Sequence, residues 1–457
     1  MKALILSAGK GERFFPFNIF RPKPMFPISN RPLLEWLLER FVQSGITDVG
    51  IVIGHRGGRV RNHFGNGNRF GCHITYIEQP TPKGTANAVC QALSYIASDD
   101  VIVAHGDIFI NTQAIPTLLN AFTTQNRADI AGVVHMTDLE SHVQAHIKTD
   151  QTISSYTWKP RGGAGHAFAG LYIFRNQTLP DLANTHEFVP RAPFGIAPPE
   201  GQEIYDVAPL LFKEGRPLKA VEISTPYFDM DMPWHPKDVT RLAIREMAST
   251  LLQSTISPSA TVDPQAHITG PICVGEETTI ARNVSIIGPV WIGKNTHIFE
   301  GSHIGPNTVI GDQCRIGPYA KISGTVDVNC HITYLGEFSG IMLEEGRVTH
   351  QIQLCGIFGE RAEIGAGTQV GTLRFDDAEI EVDVLGIRRK APGFTGVLFG
   401  DYSRTGIGAM IMPGRIVGPC AMVGAGVVLM KNVPPYKAVL VKQQLDEIDW
   451  SPQIYNR

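Results

Sequence analysis

Glycine and basic residues near the start of the chain have types and spacing suited to binding phosphate. Gly9 and Gly11 follow the apolar run 2–6, and Arg13 comes two residues later. A glycine turn after a strand lets backbone N–H groups approach phosphate oxygens, and an arginine brings a guanidinium to the same oxygens. A surface arginine beside an ordinary glycine turn would have the same sequence, so this motif alone leaves both interpretations open.

Two further charged residues strengthen the first interpretation. Lys23 stands between Pro22 and Pro24, and prolines stiffen the backbone on either side. Its ammonium is therefore expected to be held in place. Asp107 follows the apolar run 101–104, where an open α/β sheet binds its ligands. The carboxylate is either one ligand of a Mg²⁺ site or a cap of a turn.

The composition sets the number of domains and excludes several classes of partner. The 457 residues suggest two or three domains, and 43 acidic against 40 basic residues give a net charge of −3. Such a balance provides no field for nucleic acid or an anionic membrane. No apolar run reaches the length of a membrane helix, and no signal peptide is recognisable. Seven scattered cysteines without a Cys-x-x-Cys pair indicate reduced thiols, a cytoplasmic location and no zinc site.

Short apolar runs alternate with amphipathic stretches over residues 1–235. This alternation predicts an α/β domain of Rossmann-like type, with a mostly parallel sheet. Residues 236–256 are expected to form a linker helix.

The pattern then changes to a repeat of six residues. Every sixth position from Val262 to Val328 is Val or Ile. The register is expected to continue through Tyr334, to slip at Gly340 and Gly346, and to return at Ile352. A hexapeptide repeat predicts an all-β domain, a left-handed parallel β-helix, over 257–435. Residues 371–400 break the repeat and are expected to form a projecting loop, and 436–457 a C-terminal tail.

The first half of the chain resembles the sugar-1-phosphate nucleotidylyltransferases. The resemblance runs from the glycine loop and Pro-Lys-Pro-Met through six further motifs. These motifs are Gln79, Gly84-Thr85-Ala86, Gly106-Asp107, Trp158-Lys159-Pro160, Ala169-Gly170 and Asp229-Met-Asp-Met-Pro233.

The resemblance implies a role for each matching position. Arg13 and Lys23 would be catalytic and would hold the triphosphate, while Asp107 and Asp229 would hold Mg²⁺. Lys159 would bind the sugar phosphate, and Gly170 would lie against the sugar. The nucleotide would be bound by Ala8, Gly9, Gly11, Gln79, Gly84 and Thr85. Asp231 is so close to Asp229 that either could be the second metal ligand. Glu12 and Trp158 depart from the family pattern.

Together the two halves are similar to bifunctional UDP-N-acetylglucosamine pyrophosphorylase/glucosamine-1-phosphate N-acetyltransferases. In those enzymes the β-helix transfers an acetyl group from acetyl-CoA, whereas in other relatives it only regulates or oligomerises. His331, in His-Ile-Thr-Tyr-Leu-Gly, matches the segment of the general base but lies about one coil too far upstream. His350 lies near the expected distance but lacks the motif. Glu363 stands where Asn is usual, so either histidine or neither could be the base.

The expected function is Mg²⁺-dependent transfer of a nucleotide, from UTP or dTTP, to a sugar 1-phosphate, with release of pyrophosphate. The expected assembly is a homotrimer or a larger homo-oligomer built through the β-helix. Two alternatives stay open. One adds acetyl transfer to a sugar amine, and the other is a non-catalytic regulatory or scaffold protein with the same domains.

Overall fold

The computed structural model describes residues 1–185 and 201–448. An α/β half extends to residue 250, and a stack of short parallel strands fills the rest. The strands of the first half are β1 (Lys2–Ser7), β2 (Pro27–Ile28), β3 (Arg31–Pro32), β4 (Asp48–Ile53), β5 (His73–Glu78), β6 (Val101–His105), β7 (Ile108–Ile110), β8 (Ile130–Met136), β9 (Val143–Ile147), β10 (Ile153–Trp158), β11 (Gly165–Phe174), β12 (Lys219–Glu222) and β13 (Tyr227–Asp229).

Nine of these strands form one mixed sheet in which β1 is central. The order is β10-β9-β11-β6-β1-β4-β5, and β8 and β12 extend from β11. Strand β1 runs parallel to both β4 and β6, whereas β11 runs antiparallel to β6. Alternate side chains of β1 enter two different apolar clusters, with Ala3 and Ile5 on one face and Leu4 on the other. Because both faces are covered, a strand of this sheet reads as a continuous apolar run.

Eight helices accompany this half of the chain in the described residues. Leu34, Leu37 and Phe41 recur at helical spacing along α1 and pack on the same face of the sheet as Ile5. The last helix, α8, leads out of the domain. The helices are α1 (Leu33–Gln43), α2 (Gly57–Phe64), α3 (Thr85–Gln91), α4 (Leu93–Ile96), α5 (Ala114–Thr124), α6 (Leu179–Ala183), α7 (Val207–Lys213) and α8 (His235–Thr250).

The second half is a parallel β-helix with three ladders of strands. The first ladder begins Thr255–Ile256, Ile272–Val274, Val290–Ile292, Thr308–Ile310 and ends Val397–Phe399, Ile416–Val417. The second is Thr261–Val262, Thr279–Ile280, His297–Ile298, Arg315–Ile316, His331–Ile332, Arg347–Val348, Glu363–Ile364, Arg404–Thr405, Met422–Val423 and Ala438–Val439. The third begins His267–Thr269, Ser285–Ile287, His303–Ile304 and ends Gln369–Val370, Met410–Ile411, Val428–Leu429.

Three longer strands join the third ladder to the first in the middle of the β-helix. They are Lys321–Val326, Gly336–Met342 and Ile352–Phe358. The fold class predicted from the sequence, an α/β domain followed by a left-handed β-helix, is confirmed.

The repeat length changes in these middle coils, and the predicted register is wrong there. Ile298 pairs with Ile316 eighteen residues on, but Ile316 pairs with Ile332 after only sixteen. Val326 and Ile332 therefore point inward, while Tyr334 is 44% exposed. In the shorter coils, the strands that join the third ladder to the first bend at glycines that lie one above another. A Cβ on Gly340, at φ +141°, would lie 1.9 Å from the carbonyl oxygen of Gly356.

The segment predicted as a projecting loop over 371–400 is largely ordered. Glu381–Val384 and Ile387–Lys390 form an antiparallel hairpin, and Val397–Phe399 already belongs to the β-helix. The stretch around Phe375, which is 97% exposed, projects into solvent without forming a strand. The first and last rungs, Thr255–Ile256 and Ala438–Val439, lie just outside the predicted limits of 257 and 435.

The two halves share one apolar cluster. Phe14, Phe17 and Phe26 of the glycine and Pro-Lys-Pro segments belong to it, together with Val382 and Val384 of the hairpin. A buried ion pair adjoins this cluster. The Arg21 guanidinium donates to Glu360 at 2.9 Å and lies 3.0 Å from an Asp401 oxygen. The β-helix is therefore packed against the segment that carries Lys23, a contact that the repeat pattern did not reveal.

Within residues 1–185 and 201–448, no helix is long and apolar enough to cross a membrane. All seven cysteines lie in those ranges and are free thiols.

Candidate active site

The glycine loop and Asp107 meet because their strands are neighbours. Leu6 at the end of β1 pairs with His105 at the end of β6. Gly9, Gly11 and Arg13 follow the first strand, and Asp107 follows the second. The predicted position at the carboxyl edge of the sheet is therefore the observed one.

A second, two-stranded ladder brings two more acids to the same edge. Asp229 pairs with Ile108, and the N–H of Met230 donates to the Asp107 carbonyl at 3.0 Å. Asp229 and Asp231 thus lie beside Asp107, although more than a hundred residues separate them in sequence. His235 supports this segment, because its Nδ1 accepts the N–H groups of Asp231 at 3.1 Å and Met232 at 3.2 Å.

Lys23 lies among these carboxylates. Its Nζ is 2.5 Å from Asp107 Oδ2 and 3.6 Å from Asp231 Oδ1. Burial opposes the charge, but the carboxylates outweigh it and hold the pKa of Lys23 above its ordinary value. Burial likewise favours the neutral form of Asp107, yet the Lys23 ammonium keeps the pKa of that carboxyl below its ordinary value. The pair is therefore ionised at neutral pH.

Asp229 is the carboxylate of the centre that forms no ion pair with a cation among the described residues. Arg13 forms an ion pair with Asp231, so two cations face three carboxylates. Burial, followed by the negative charges of Asp107 and Asp231, raises the pKa of Asp229 to about 7. A crowded group of carboxylate oxygens in which one carboxylate has no cation partner fits a hard divalent cation such as Mg²⁺.

The described residues contain no group of three or more His, Cys, Asp or Glu side chains arranged to enclose a metal ion. One or two of these carboxylates, completed by phosphate oxygens of a substrate, are the arrangement that Mg²⁺ commonly uses. The residues present therefore fit the metal that was predicted for Asp107 and Asp229.

Two adjoining cavities open at this centre. The larger, of about 660 Å³, is lined by the loop from Gly9 to Arg13 and by Lys23 and Asp107. The smaller, of about 240 Å³, contains Lys159, Gly170 and Asp229. Arg13 and Asp231 line both. Eight of the predicted site residues, Gly9, Gly11, Arg13, Lys23, Asp107, Lys159, Gly170 and Asp229, are thus brought to one pair of cavities that meet at the carboxylates.

The smaller cavity has a basic rim. Lys159 follows β10, and its ammonium lies 5.3 Å from the centre of the Trp158 ring. Burial, and after it the charge of Arg13, lowers the pKa of Lys159 to about 8. A dianionic ligand would relieve this repulsion between neighbouring cations, so the site is electrostatically prepared for a phosphate group.

Several polar residues of the smaller cavity were not identified from the sequence. The Nε2 atom of His105 is buried and has no hydrogen-bond partner among residues 1–185 and 201–448, and a Cβ at Gly170 would lie 2.9 Å from that ring. Gly170 therefore leaves room for His105 as well as lining the cavity. Glu203 also lines it, and burial raises the pKa of this carboxyl above its ordinary value. The quoted motifs include neither residue, because His105 ends β6 just before Gly106-Asp107 and Glu203 precedes the short 3₁₀ turn Ile204–Asp206.

The predicted nucleotide-binding residues divide into two groups. Gly9 and Gly11 line the larger cavity, and Ala8 lies between the lining residues Ser7 and Gly9. Gln79, Gly84 and Thr85 form a second group at the start of α3. The Gln79 amide nitrogen donates to the Gly84 carbonyl at 3.2 Å, and Thr85 Oγ1 donates to Glu203 at 2.5 Å. In this structure the group serves to join α3 to the Glu203 segment.

The two histidines considered for acyl transfer lie on the β-helix. His331 begins a rung of the second ladder, between Arg315 and Arg347 on the adjacent coils. Partial burial, and after it these two arginines, lowers the pKa of His331 below its ordinary value. His350 is exposed in the turn after Arg347–Val348. Neither histidine lines the two cavities at the carboxylate centre.

The fold and these cavities define a transferase that acts on phosphates and carries a β-helix. Comparison with known proteins agrees. The profile of the family "Nucleotidyl transferase" matches residues 2–221, and that of "Bacterial transferase hexapeptide (six repeats)" matches residues 289–324. The chain is 32% identical over 320 residues to a glucose-1-phosphate thymidylyltransferase of Streptomyces antibioticus, which covers 69% of this chain and 84% of that one.

Other relatives span both halves. The bifunctional protein GlmU of Methanococcus maripaludis is 26% identical over 97% of this chain and 98% of its own length. A bifunctional sugar-1-phosphate nucleotidylyltransferase/acetyltransferase of Sulfurisphaera tokodaii is 26% identical over 95% and 98%. The chain belongs to the family of sugar-1-phosphate nucleotidyltransferases, as the motifs predicted. Members of this family act on a nucleoside triphosphate and a sugar phosphate and generally use a divalent metal ion.

Proposed function

We propose that this protein transfers a nucleotide from UTP or dTTP to a sugar 1-phosphate in a Mg²⁺-dependent reaction. The observation that carries the proposal is the meeting of two cavities at Arg13 and Asp231, the larger with the buried Lys23 and the smaller with the half-buried Lys159. Such an arrangement can hold two phosphorylated substrates with their reacting phosphates side by side. Positioning of this kind supplies most of the catalysis in phosphoryl-group chemistry.

The larger cavity takes the triphosphate. The backbone from Gly9 to Arg13 lies along its phosphates, and the Arg13 guanidinium and the Lys23 ammonium neutralise charge that develops as pyrophosphate departs. The sugar phosphate lies in the smaller cavity, held by Lys159. One of its oxygens attacks the α-phosphorus, a new P–O bond forms, and the bond to pyrophosphate breaks.

Asp107 and Asp229 hold the metal, with Asp231 as the alternative to Asp229. When bound, Mg²⁺ neutralises phosphate charge and orients the triphosphate. Lys23 contacts Asp107 and Asp231 before substrate arrives, and its ammonium turns toward the phosphates once they enter. His235 keeps the acidic segment in place through its two backbone contacts.

Recognition of the two substrates rests on buried polar atoms. His105 Nε2 and the Glu203 carboxyl are the groups that meet sugar hydroxyls in the smaller cavity. Gln79 uses its amide nitrogen within the protein, and its carbonyl oxygen is the atom that accepts the imide N–H shared by uracil and thymine.

The test is pyrophosphate release by the purified full chain with Mg²⁺. UTP, dTTP, GTP, CTP and ATP are each combined with glucose, N-acetylglucosamine, glucosamine and mannose 1-phosphates. Turnover with UTP or dTTP and one sugar supports the proposal, and mass spectrometry identifies the product. A folded protein that turns over no pair and binds no nucleotide would instead support a regulatory scaffold.

Acetyl transfer from acetyl-CoA is a second candidate, favoured by the names of the relatives that span both halves. Against it, Glu363 is paired on the surface with Arg404, and His331 lies between two arginines. Incubation with glucosamine 1-phosphate and acetyl-CoA tests this activity, because free coenzyme A is released only if the acetyl group is transferred.

We also propose a homotrimeric or larger assembly in the cytoplasm. Apolar side chains on the last coils are exposed, among them Met410, Met422 and Val428, as is Phe375 on the projecting stretch. Met410 and Val428 lie side by side on adjacent coils, and exposed apolar side chains of this kind are suited to packing against other copies. Sedimentation of the full chain tests this, since a monomer at micromolar concentration would contradict it. The free thiols are consistent with a reducing compartment.

A further inference from the structure

The hairpin formed by Glu381–Val384 and Ile387–Lys390 reaches from the β-helix to the cavities of the other domain. Its tip residue, Leu385, lines the larger cavity together with Gly9, Arg13 and Asp107. The hairpin is far from that site in sequence, and the family profile that covers the first half ends at residue 221. Its position is therefore a property of the two-domain arrangement.

The base of the hairpin packs against the acidic segment, residues Asp229–Asp231. Val382 and Val384 are buried in the cluster that also contains Met230 and Met232, which flank Asp231. The Ala391 N–H donates to the Ile380 carbonyl at 2.9 Å and closes the base. A two-stranded hairpin held in this way presents its tip at a defined place rather than as a mobile loop.

The tip has an unusual sequence for its turn. Leu385 and Gly386 both have positive φ, at +55° and +79°, in a two-residue turn. Such turns favour Asn-Gly or Gly-Gly, because a branched side chain is disfavoured at the first position. Leu385 is nevertheless 62% exposed, so no apolar core explains its presence. Its side chain instead contacts the larger cavity, where it forms an apolar wall.

The strand that follows carries a basic residue on the same side. Arg389 pairs across the hairpin with Val382 and therefore projects from the face that packs on the acidic segment. Arg388 pairs with Asp383 and projects from the opposite face, where it lines a separate small cavity with Arg415. In the part of the chain that the structure describes, Arg389 has no carboxylate partner within ion-pair distance.

Arg389 is also close enough to the smaller cavity to affect its electrostatics. Its charge is one of the causes, after burial and Arg13, that lower the pKa of Lys159. Arg13 and Lys159 line the smaller cavity, and Arg389 lies outside this lining, on the face of the hairpin that packs on the acidic segment. A guanidinium without a partner at this place is suited to bind a phosphate dianion.

We propose that the hairpin of the β-helix completes the nucleotidyl-transfer site, with Arg389 as a phosphate-binding residue for the sugar 1-phosphate and Leu385 as a wall of the triphosphate cavity. This inference rests on the proposed function. It gives the β-helix a direct part in nucleotidyl transfer, in addition to any role in assembly or acyl transfer.

The first test compares Arg389→Ala with Arg388→Ala in the full chain. Loss of one charged contact is expected to raise the KM for the sugar 1-phosphate by about 10-fold in Arg389→Ala. Its KM for the nucleoside triphosphate stays within about twofold, and Arg389→Lys recovers part of the loss. Arg388→Ala is the matched control, because it removes the same charge from the other face of the hairpin.

Equal KM values in the two alanine variants would overturn the role of Arg389 while leaving the proposed function intact. If the wild-type protein turns over no pair of substrates, both proposals fall. The two failures are therefore distinguishable by the wild-type measurement alone.

The second test uses Leu385→Gly. Glycine suits the positive φ at this position, so the hairpin is expected to fold at least as well as in the wild type. The KM for the triphosphate is expected to rise about threefold through loss of the apolar wall, with no fall in the denaturant midpoint. An unchanged KM would contradict the role of Leu385.

Discussion

The carboxylate centre of the α/β domain and the histidine rungs of the β-helix differ in how far their charged side chains are shielded from water. At the centre, Lys23, Asp107 and Asp231 are withdrawn from water and hold one another ionised. On the β-helix, His331 and its neighbouring arginines lie on a regular, solvent-facing ladder. Charged groups are costly to bury, and a fold that keeps them buried without need would be less stable. The charges withdrawn from water in the α/β domain therefore mark the region where a loss of folding stability is accepted in order to form a reactive site.

The largest expected effect comes from removing the central cation. Lys23→Ala is expected to lower kcat/KM for pyrophosphate release by about 10²–10³-fold, because one charge that stabilises the transition state is lost. Lys294→Ala is the control, since it removes an exposed lysine that pairs with Glu276 on the β-helix, away from both cavities. Steady-state kinetics at saturating Mg²⁺ measure both. A Lys23→Ala protein with near wild-type turnover would show that the buried centre is not the site of the reaction.

The second prediction concerns the contact between the domains. Glu360→Ala leaves the buried Arg21 with one partner fewer, and it is expected to lower the free energy of unfolding by about 3 kcal/mol. Because Arg21 is two residues from Lys23, kcat is expected to fall as well.

Glu363→Ala is the control for that variant, because it breaks only the exposed pair with Arg404 and should cost about 1 kcal/mol or less. Denaturant unfolding and kinetics on both variants are the measurements. Equal stability of the two would mean that the Arg21 contact does not tie the domains together.

The third prediction is a pH dependence. Lys159 has a pKa of about 8, so its ammonium is present below that pH and is lost as the pH rises through it. The kcat/KM for the sugar 1-phosphate is therefore expected to fall above pH 8, approaching tenfold per unit. Lys159→Arg keeps the charge and should remove this decline up to pH 9.5, although its geometry lowers the absolute rate. A wild-type profile that is flat from pH 7 to 9.5 would refute the assignment of Lys159.

The smallest expected effect comes from the histidine rungs. His331→Ala and His350→Ala are each expected to change nucleotidyl transfer by less than about twofold, since neither touches its cavities. If the chain also transfers acetyl groups, the variant that lacks the general base loses about 10²–10⁴-fold of that activity alone. The coenzyme A assay on both variants would identify the base, and equal rates in wild type and both variants would exclude these histidines.

The sequence predicted much of the centre, because its residues stand in short motifs at the ends of apolar strands. Arg13, Lys23, Asp107, Lys159, Gly170 and Asp229 all line the two cavities. His105 and Glu203 were not identified, since only the folded chain brings their polar atoms to the smaller cavity. The assignment of Thr85 to the nucleotide stays a prediction, and in this structure its hydroxyl and N–H both donate to Glu203.

The β-helix shows the same limit at a larger scale. A strict period of six residues predicted the coils as far as Ile322, and it failed where coils of sixteen residues begin. Gly324, Gly340 and Gly356 recur at that spacing and were the available signal. The docking of the two domains has no local periodicity. The sequence indicates this docking only through the phenylalanines between Phe14 and Phe26, whose rings pack together in the cluster shared with the β-helix.

The most direct test of nucleotidyl transfer at this centre follows the phosphates themselves. UTP or dTTP labelled at either the α- or the γ-phosphorus is incubated with the full chain, Mg²⁺ and the preferred sugar 1-phosphate. The α label is expected in the nucleoside diphosphate sugar and the γ label in pyrophosphate, in equal amounts and only with the metal present. Release of the γ label as inorganic phosphate, or no transfer of the α label by a folded protein, would contradict the proposed reaction.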